Sequence, residues 1–132
     1  MADARAPALI PLWTPVALYM AAIFYGSSLS SVPGPVGSWF SDTVLHMTGY
    51  AGLALVTLRA AAGGRWSGVT RRALLAAWLI ATAYGVTDEW HQMHVPGRTA
   101  ELRDLGNDAT GALLALGVAG AWGIMKAAPR AD

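Results

Sequence analysis

Long apolar runs separated by short polar connections dominate the chain. Four such segments, residues 9–28, 43–62, 73–90 and 105–125, are each close to the roughly 20 residues that a helix needs to cross a membrane. Unpaired backbone groups are costly in lipid, and the segments lack the alternating pattern of barrel strands. The pattern therefore predicts an all-α protein, a four-helix transmembrane bundle in which residues 1–132 form a single domain.

Composition supports a membrane protein. The chain is 55% hydrophobic and 13% charged, whereas an ordinary soluble domain is about 25% charged. It has no cysteine, which excludes disulfides, thiol nucleophiles and cysteine-ligated metal centres. The net charge of +1 does not support a nucleic-acid partner.

Glycine, proline and alanine positions predict how the segments are connected and packed. Residues 30–35 are typical of an irregular loop, Gly63 and Gly64 end the second segment, and Pro96-Gly97 forms a turn after the third. The first segment could instead be a signal peptide, although it is long for one. Small residues recur every fourth position in the third and fourth segments, which predicts close contact between these two helices. They are Ala77, Ala81 and Gly85 in the third, and Gly111, Ala115, Ala119 and Gly123 in the fourth.

Basic residues divide unevenly between the two ends of the predicted bundle. Arg98 and Arg103 lie at one end, and the other seven lie at the opposite end. The positive-inside rule predicts an inner-membrane protein with both termini in the cytoplasm. The polar end, which holds all three histidines and six of the eight carboxylates, would then face the periplasm or the cell exterior. The seven basic residues at the inner end are Arg5, Arg59, Arg65, Arg71, Arg72, Lys126 and Arg130.

Polar side chains from three helices are expected in one layer near the outer edge of the hydrocarbon. Counted from the inner end of its own helix, His46 lies roughly 20 Å up, Asp88 roughly 24 Å and Asp108 roughly 27 Å. Ionisable groups at this depth should face inward and either pair or line a wet pocket, because lipid exposure is costly.

Helical spacing groups these polar residues into three stripes. Asp42, His46 and Tyr50 share one face, and Glu89 and Gln92 share another, with Asp88 about 100° away. On the fourth segment the stripe contains Asp104, either Asn107 or Asp108, and Gly111. Asp42 and Asp104 could alternatively serve only as helix N-caps.

Together these fragments resemble the signature of the VanZ-like family of bacterial membrane proteins. The pattern is Asp42-x3-His46-x3-Tyr50, Asp88-Glu89-x2-Gln92, Pro96-Gly97-Arg98 and Asp104-x2-Asn107-x3-Gly111. The resemblance implies a small four-helix membrane protein, and the founding member of the family gives low-level resistance to teicoplanin. A lysine often follows the first aspartate in the family, but Thr43 does so here. A charge partner for Asp42 must then come from elsewhere, and Arg98 is the candidate.

The polar residues suit the binding of a lipid headgroup or a lipid-linked glycan. Arg98 in its Pro-Gly turn is the expected anion clamp, unless it only pairs with Glu101 or Asp104. Asp88 and Glu89 are adjacent, and the repulsion between two carboxylates favours a proton on one of them. A carboxyl group that can hold a proton in this way can serve as a general acid or base. The expected catalytic residues are His46, Asp88 and Glu89, and the expected binding residues are Asp42, Tyr50, Gln92, Arg98, Asp104 and Asn107.

Two alternatives remain open. A metal-dependent hydrolase or phosphotransferase could use His46 with Asp42, or His91 with His94, as ligands. No dense metal motif is present, so no residue is assigned to a metal and the cofactor is left undetermined. In the other alternative the polar cluster is an interhelical network that only stabilises the bundle. His91, His94, Glu101 and Asp108 are expected to be solvated or supporting.

Overall fold

The computed structural model describes residues 9–31 and 34–127, and this part of the chain is helical, with no strand. Arg5, Pro33 and Arg130, which entered the sequence interpretation, lie outside the described residues. Within these two ranges, five α-helices and one 3₁₀ turn at Trp66–Gly68 follow one another. The α-helices are α1 (Leu9–Ser27), α2 (Gly34–Trp39), α3 (Asp42–Ala61), α4 (Arg71–Gln92) and α5 (Leu102–Ala127).

The four predicted long helices are present, and their ends agree with the sequence within three residues. The sequence did not predict the short helix α2, which begins inside the expected loop. Helices α1 and α5 are long and apolar enough to cross a membrane. Helices α3 and α4 have 20 and 22 residues, a sufficient length, but among the described helices only α1 and α5 are also apolar enough by composition.

Helix α3 lies at the centre of the fold and packs against α1, α4 and α5. Its buried face includes Tyr50, Leu53, Ala54 and Leu58. Most of the opposing core residues on α4 and α5 are alanines. Small side chains allow the helix axes to approach closely, which brings polar residues of different helices within hydrogen-bonding distance.

Glycine contacts show where the helices approach one another. A Cβ atom on Gly85 of α4 would lie 3.0 Å from the Asp108 carboxylate of α5, and one on Gly120 of α5 would lie 3.0 Å from Leu74 of α4. The predicted contact between these two helices is therefore confirmed. Gly111 faces α3 instead, where an added Cβ would collide with the backbone of Met47.

Large apolar side chains are exposed on all four long helices. Soluble monomers rarely expose apolar surface this extensively, and lipid-facing helices do so as a rule. Together with the two apolar helices, this surface is typical of a membrane protein. The exposed side chains include Leu18 and Phe24 on α1, Leu55 on α3, Leu75, Leu79 and Val86 on α4, and Leu113, Val118 and Ile124 on α5.

Candidate functional site

A histidine–aspartate pair joins α3 to α5 at the polar end of the bundle. The His46 Nδ1 atom lies 2.8 Å from the Asp108 Oδ1 atom, and Asp108 is completely buried. The His46 Nε2 atom is 3.7 Å from the Asp104 Oδ2 atom. Asp104 and Asp108 are one helical turn apart, so both carboxylates can approach the same imidazole.

Two further hydrogen bonds join α4 to its neighbours in the same region. The Tyr50 hydroxyl donates to the Asp88 Oδ2 atom at 3.1 Å. The backbone N–H of Glu101, just before α5, donates to the Glu89 Oε2 atom at 2.8 Å. Asp88 therefore links α4 to α3, and Glu89 links α4 to the segment that precedes α5, as the structural alternative requires.

These bonds leave part of the buried negative charge without a partner. The Oδ1 atom of Asp88, the Oε1 atom of Glu89 and the Oδ2 atom of Asp108 are buried and accept no hydrogen bond from the described part of the chain. All three residues are more than nine-tenths buried. Within residues 9–31 and 34–127, His46 is the one basic side chain that forms an ion pair with any of them. Buried and unpaired anionic oxygens are costly, so this cluster is suited to receiving a proton or a cation.

Two adjoining cavities open beside the cluster, with volumes of about 170 Å³ and about 290 Å³. The smaller one is mainly apolar, and its lining includes Ile23, Gly26 and Gly49. The larger one is polar, and its lining includes Ser30, Thr99, Glu101 and Asp104. Five residues line both cavities, namely Asp42, Leu45, His46, Gln92 and Arg98.

Arg98 lies in the wall of both cavities and forms no ion pair with a described carboxylate. Its Nε atom donates to the Leu29 carbonyl at 2.8 Å. Glu101 and Asp104 contact Arg103 instead, at 3.2 Å and 3.8 Å, so the expectation that either would pair with Arg98 is wrong. The expected ion pair between Arg98 and Asp42 is also absent from the described residues. Hydrogen-bond donors of Arg98 therefore remain for a ligand.

The N-cap alternatives for Asp42 and Asp104 are wrong. Ser41 caps α3 by accepting a bond from the Val44 N–H, and Asp42 is exposed in the first turn. Asp104 is the third residue of α5. The Asn107 side chain is half-buried, donates to Asp104 at 3.5 Å and lies outside the lining of both cavities.

A family model describes nearly all of this structure. The VanZ/LLP1 model matches residues 6–123. The chain belongs to the VanZ/LLP1 family. No curated protein and no solved structure matches it. Every site residue of this VanZ/LLP1 protein, from Asp42 to Asp108, falls inside the matched range, so the resemblance inferred from the motifs is confirmed.

The other two histidines of this VanZ/LLP1 protein, His91 and His94, have separate contacts. These contacts give no support to the alternative in which the two side chains hold one metal ion. The His91 Nε2 atom lies 2.9 Å from the Ser28 hydroxyl, and its ring stacks on Phe24, so His91 ties α4 to α1 in a supporting position. His94 is exposed, as expected, and its Nδ1 atom contacts the Trp90 carbonyl.

Sequence reasoning underrated Asp108 in this VanZ/LLP1 protein. Asp108 was expected to be solvated or supporting, yet it is the buried partner of His46. Its spacing of four residues from Asp104 was a usable signal, because residues four apart share a helix face. The possible metal ligands also differ from the expected ones, which paired His46 with Asp42. In the structure, His46, Glu89 and Asp108 each offer a ligand atom within 4.8 Å of the others.

Proposed function

We propose that this VanZ/LLP1 protein is a four-helix protein of the bacterial inner membrane that binds an envelope lipid or lipid-linked glycan at its polar end. The observation that carries the proposal is Arg98, which lies in the wall of an amphipathic cavity without a partner among the described carboxylates. In this arrangement α1, α3, α4 and α5 cross the membrane. The exposed apolar side chains on all four helices support it, as do charged residues concentrated near the helix ends.

The two cavities match the two parts of an amphiphile. The polar cavity accommodates a headgroup, and the apolar cavity beside Ile23 and Leu45 accommodates the start of an acyl chain. Arg98 binds a phosphate or carboxylate, because a guanidinium donates parallel hydrogen bonds to such groups. Asp42, Glu101 and Asp104 add acceptors to the same polar cavity, and these favour a headgroup that also carries hydroxyl or amine donors.

His46 is the residue best placed to exchange a proton with a bound headgroup. Asp108 orients its ring through Nδ1, and a carboxylate in this position fixes the tautomer of an imidazole. The Nε2 atom lies toward Asp104, which lines the polar cavity. Asp88 and Glu89, which belong to the same buried cluster, are further acid–base groups. Tyr50, Gln92 and Asn107 bind the headgroup or support the residues that bind it.

The Arg98→Gln variant is expected to lose affinity for an anionic phospholipid about tenfold or more, because a charge-assisted hydrogen bond contributes about 1.5–3 kcal/mol. Native mass spectrometry of the detergent-purified protein with added phosphatidylglycerol measures the bound fraction. Arg103→Gln is the matched control, because Arg103 lies at the same end but already contacts Glu101 and Asp104. Equal losses in both variants would mean that general surface charge, and not the cavity, holds the lipid.

Membrane orientation can be tested separately with reporters fused after residue 132. A cytoplasm-dependent fluorescent reporter at the C-terminus is expected to be active, and alkaline phosphatase at the same position is expected to be inactive. The reason is that basic residues are enriched at the ends of the helices opposite the site. Phosphatase activity at the C-terminus would show that the orientation is the opposite one, with the polar cavities facing the cytoplasm.

A further inference from the structure

We propose that His46, Glu89 and Asp108 form a binding site for one divalent transition-metal ion. The three residues come from α3, α4 and α5, and each offers a ligand atom within 4.8 Å of the other two. Ligands of one ion at tetrahedral angles lie about 3.6 Å apart when each bond is about 2.2 Å. A contraction of up to about 1.2 Å would therefore place all three around one ion.

A second observation points to a cation independently of this spacing. Glu89 and Asp108 each keep one buried oxygen that accepts no hydrogen bond, and Asp88 beside them keeps a third. Among the described residues, no arginine or lysine forms an ion pair with these carboxylates. A bound cation would satisfy the free oxygens and offset the repulsion among the carboxylates.

The donor set indicates which ions fit. One imidazole nitrogen and two carboxylate oxygens are ligands that Zn²⁺ and Mn²⁺ accept, while the nitrogen ligand disfavours Ca²⁺ and Mg²⁺. Three protein ligands leave at least one coordination position free, as in catalytic zinc sites. His46 lines both cavities, so an ion can enter through them and present its free position to a cavity ligand.

This inference does not depend on lipid binding. The ion site lies in the interhelical cluster, whereas the headgroup proposal rests on Arg98 in the cavity wall. With an ion bound, the His46 nitrogen that holds it would no longer exchange a proton with a headgroup. The rival explanation for the cluster is an arrangement of protonated carboxylates that only joins the helices. Metal binding by the protein in detergent, with no lipid added, separates the two explanations.

Tag-free protein in detergent is stripped with a chelator and titrated with Zn²⁺ and with Mn²⁺ by calorimetry. We expect one ion to bind per chain. Glu89→Gln and Asp108→Asn should each weaken binding at least about 100-fold, since even the loss of a group that supports a ligand costs 10–100-fold. The control His94→Gln removes an exposed histidine from the same end of the bundle and should bind as the original protein does.

Cobalt provides a readout that needs no variant. Co²⁺ that is held by a small number of nitrogen and oxygen ligands should give visible absorption bands. Added Zn²⁺ should remove these bands by displacing the Co²⁺ ion. Circular dichroism confirms that each protein is folded, and Glu89→Gln keeps an acceptor for the Glu101 N–H. A folded protein that binds none of the three ions would overturn the proposal, and so would binding that is unchanged in both Glu89→Gln and Asp108→Asn. Retention of phosphatidylglycerol by the same preparation shows whether the headgroup proposal stands in either case.

Discussion

The His46→Ala variant will lose about 3–5 kcal/mol of unfolding free energy, which is the cost expected when one partner of a buried ion pair is removed. Asp108 is completely buried, and its hydrogen bond to His46 Nδ1 is 2.8 Å long. Without the imidazole, both carboxylate oxygens would lack a partner, because Oδ2 already has none. Equilibrium unfolding in mixed micelles measures the change.

A double-mutant cycle isolates the contribution of the pair. The double variant His46→Ala/Asp108→Ala removes the stranded carboxylate as well, so it should be less destabilised than the sum of the two single variants. His94→Ala is the control, because His94 is exposed, and its unfolding free energy should change by less than about 0.5 kcal/mol. If the stability losses of the two single variants add up to the loss of the double variant, the two residues are not energetically coupled.

The Gly111→Val variant will be destabilised by about 3 kcal/mol, at the upper end of the range for overpacking a core. The first added carbon would collide with the backbone of Met47, which cannot swing aside as a flexible side chain can. The helices α3 and α5 would have to separate, and the His46–Asp108 hydrogen bond between them would lengthen. Unfolding in the same micelles measures the loss.

Gly117→Val is the matched control for Gly111→Val. Gly117 lies on the same helix, but a Cβ atom at this position meets nothing within 4 Å. Its unfolding free energy should therefore change by less than about 0.5 kcal/mol. If both valine variants unfold alike, the close approach of α3 and α5 at Gly111 does not limit stability.

The two predictions concern one structural unit. Gly111 follows Asp108 along α5, and Met47 follows His46 along α3, so the close backbone contact and the ion pair lie next to each other. Small-residue packing sets the distance between the helices, and this distance allows a short hydrogen bond between their polar side chains. Stability and the geometry of the candidate site are therefore coupled through α3 and α5.

The positions of the long helices and the gathering of polar residues at one end could be predicted from the sequence. Both depend on features that are local in the chain, namely apolar runs of the required length and charged residues near their ends. The motifs around His46, Asp88 and Asp104 also identified the family without structural information. Helix α2 was missed because a six-residue helix that starts within a Pro-Gly-Pro segment lacks a distinctive local pattern.

Which polar residues pair was decided only by the tertiary structure. Asn107 and Asp108 are neighbours about 100° apart on a helix, and periodicity allowed either one to face inward. The approach of α5 to α3 at Gly111 brings Asp108 to His46. In the same way, Arg103 takes Glu101 and Asp104 as partners, and Arg98 remains for the cavity. The sequence alone thus determined the helices and the end of the bundle where polar chemistry is concentrated, because these follow from local composition and period. Partners within that end depend on helix rotation and separation, which arise from packing between residues distant in the chain.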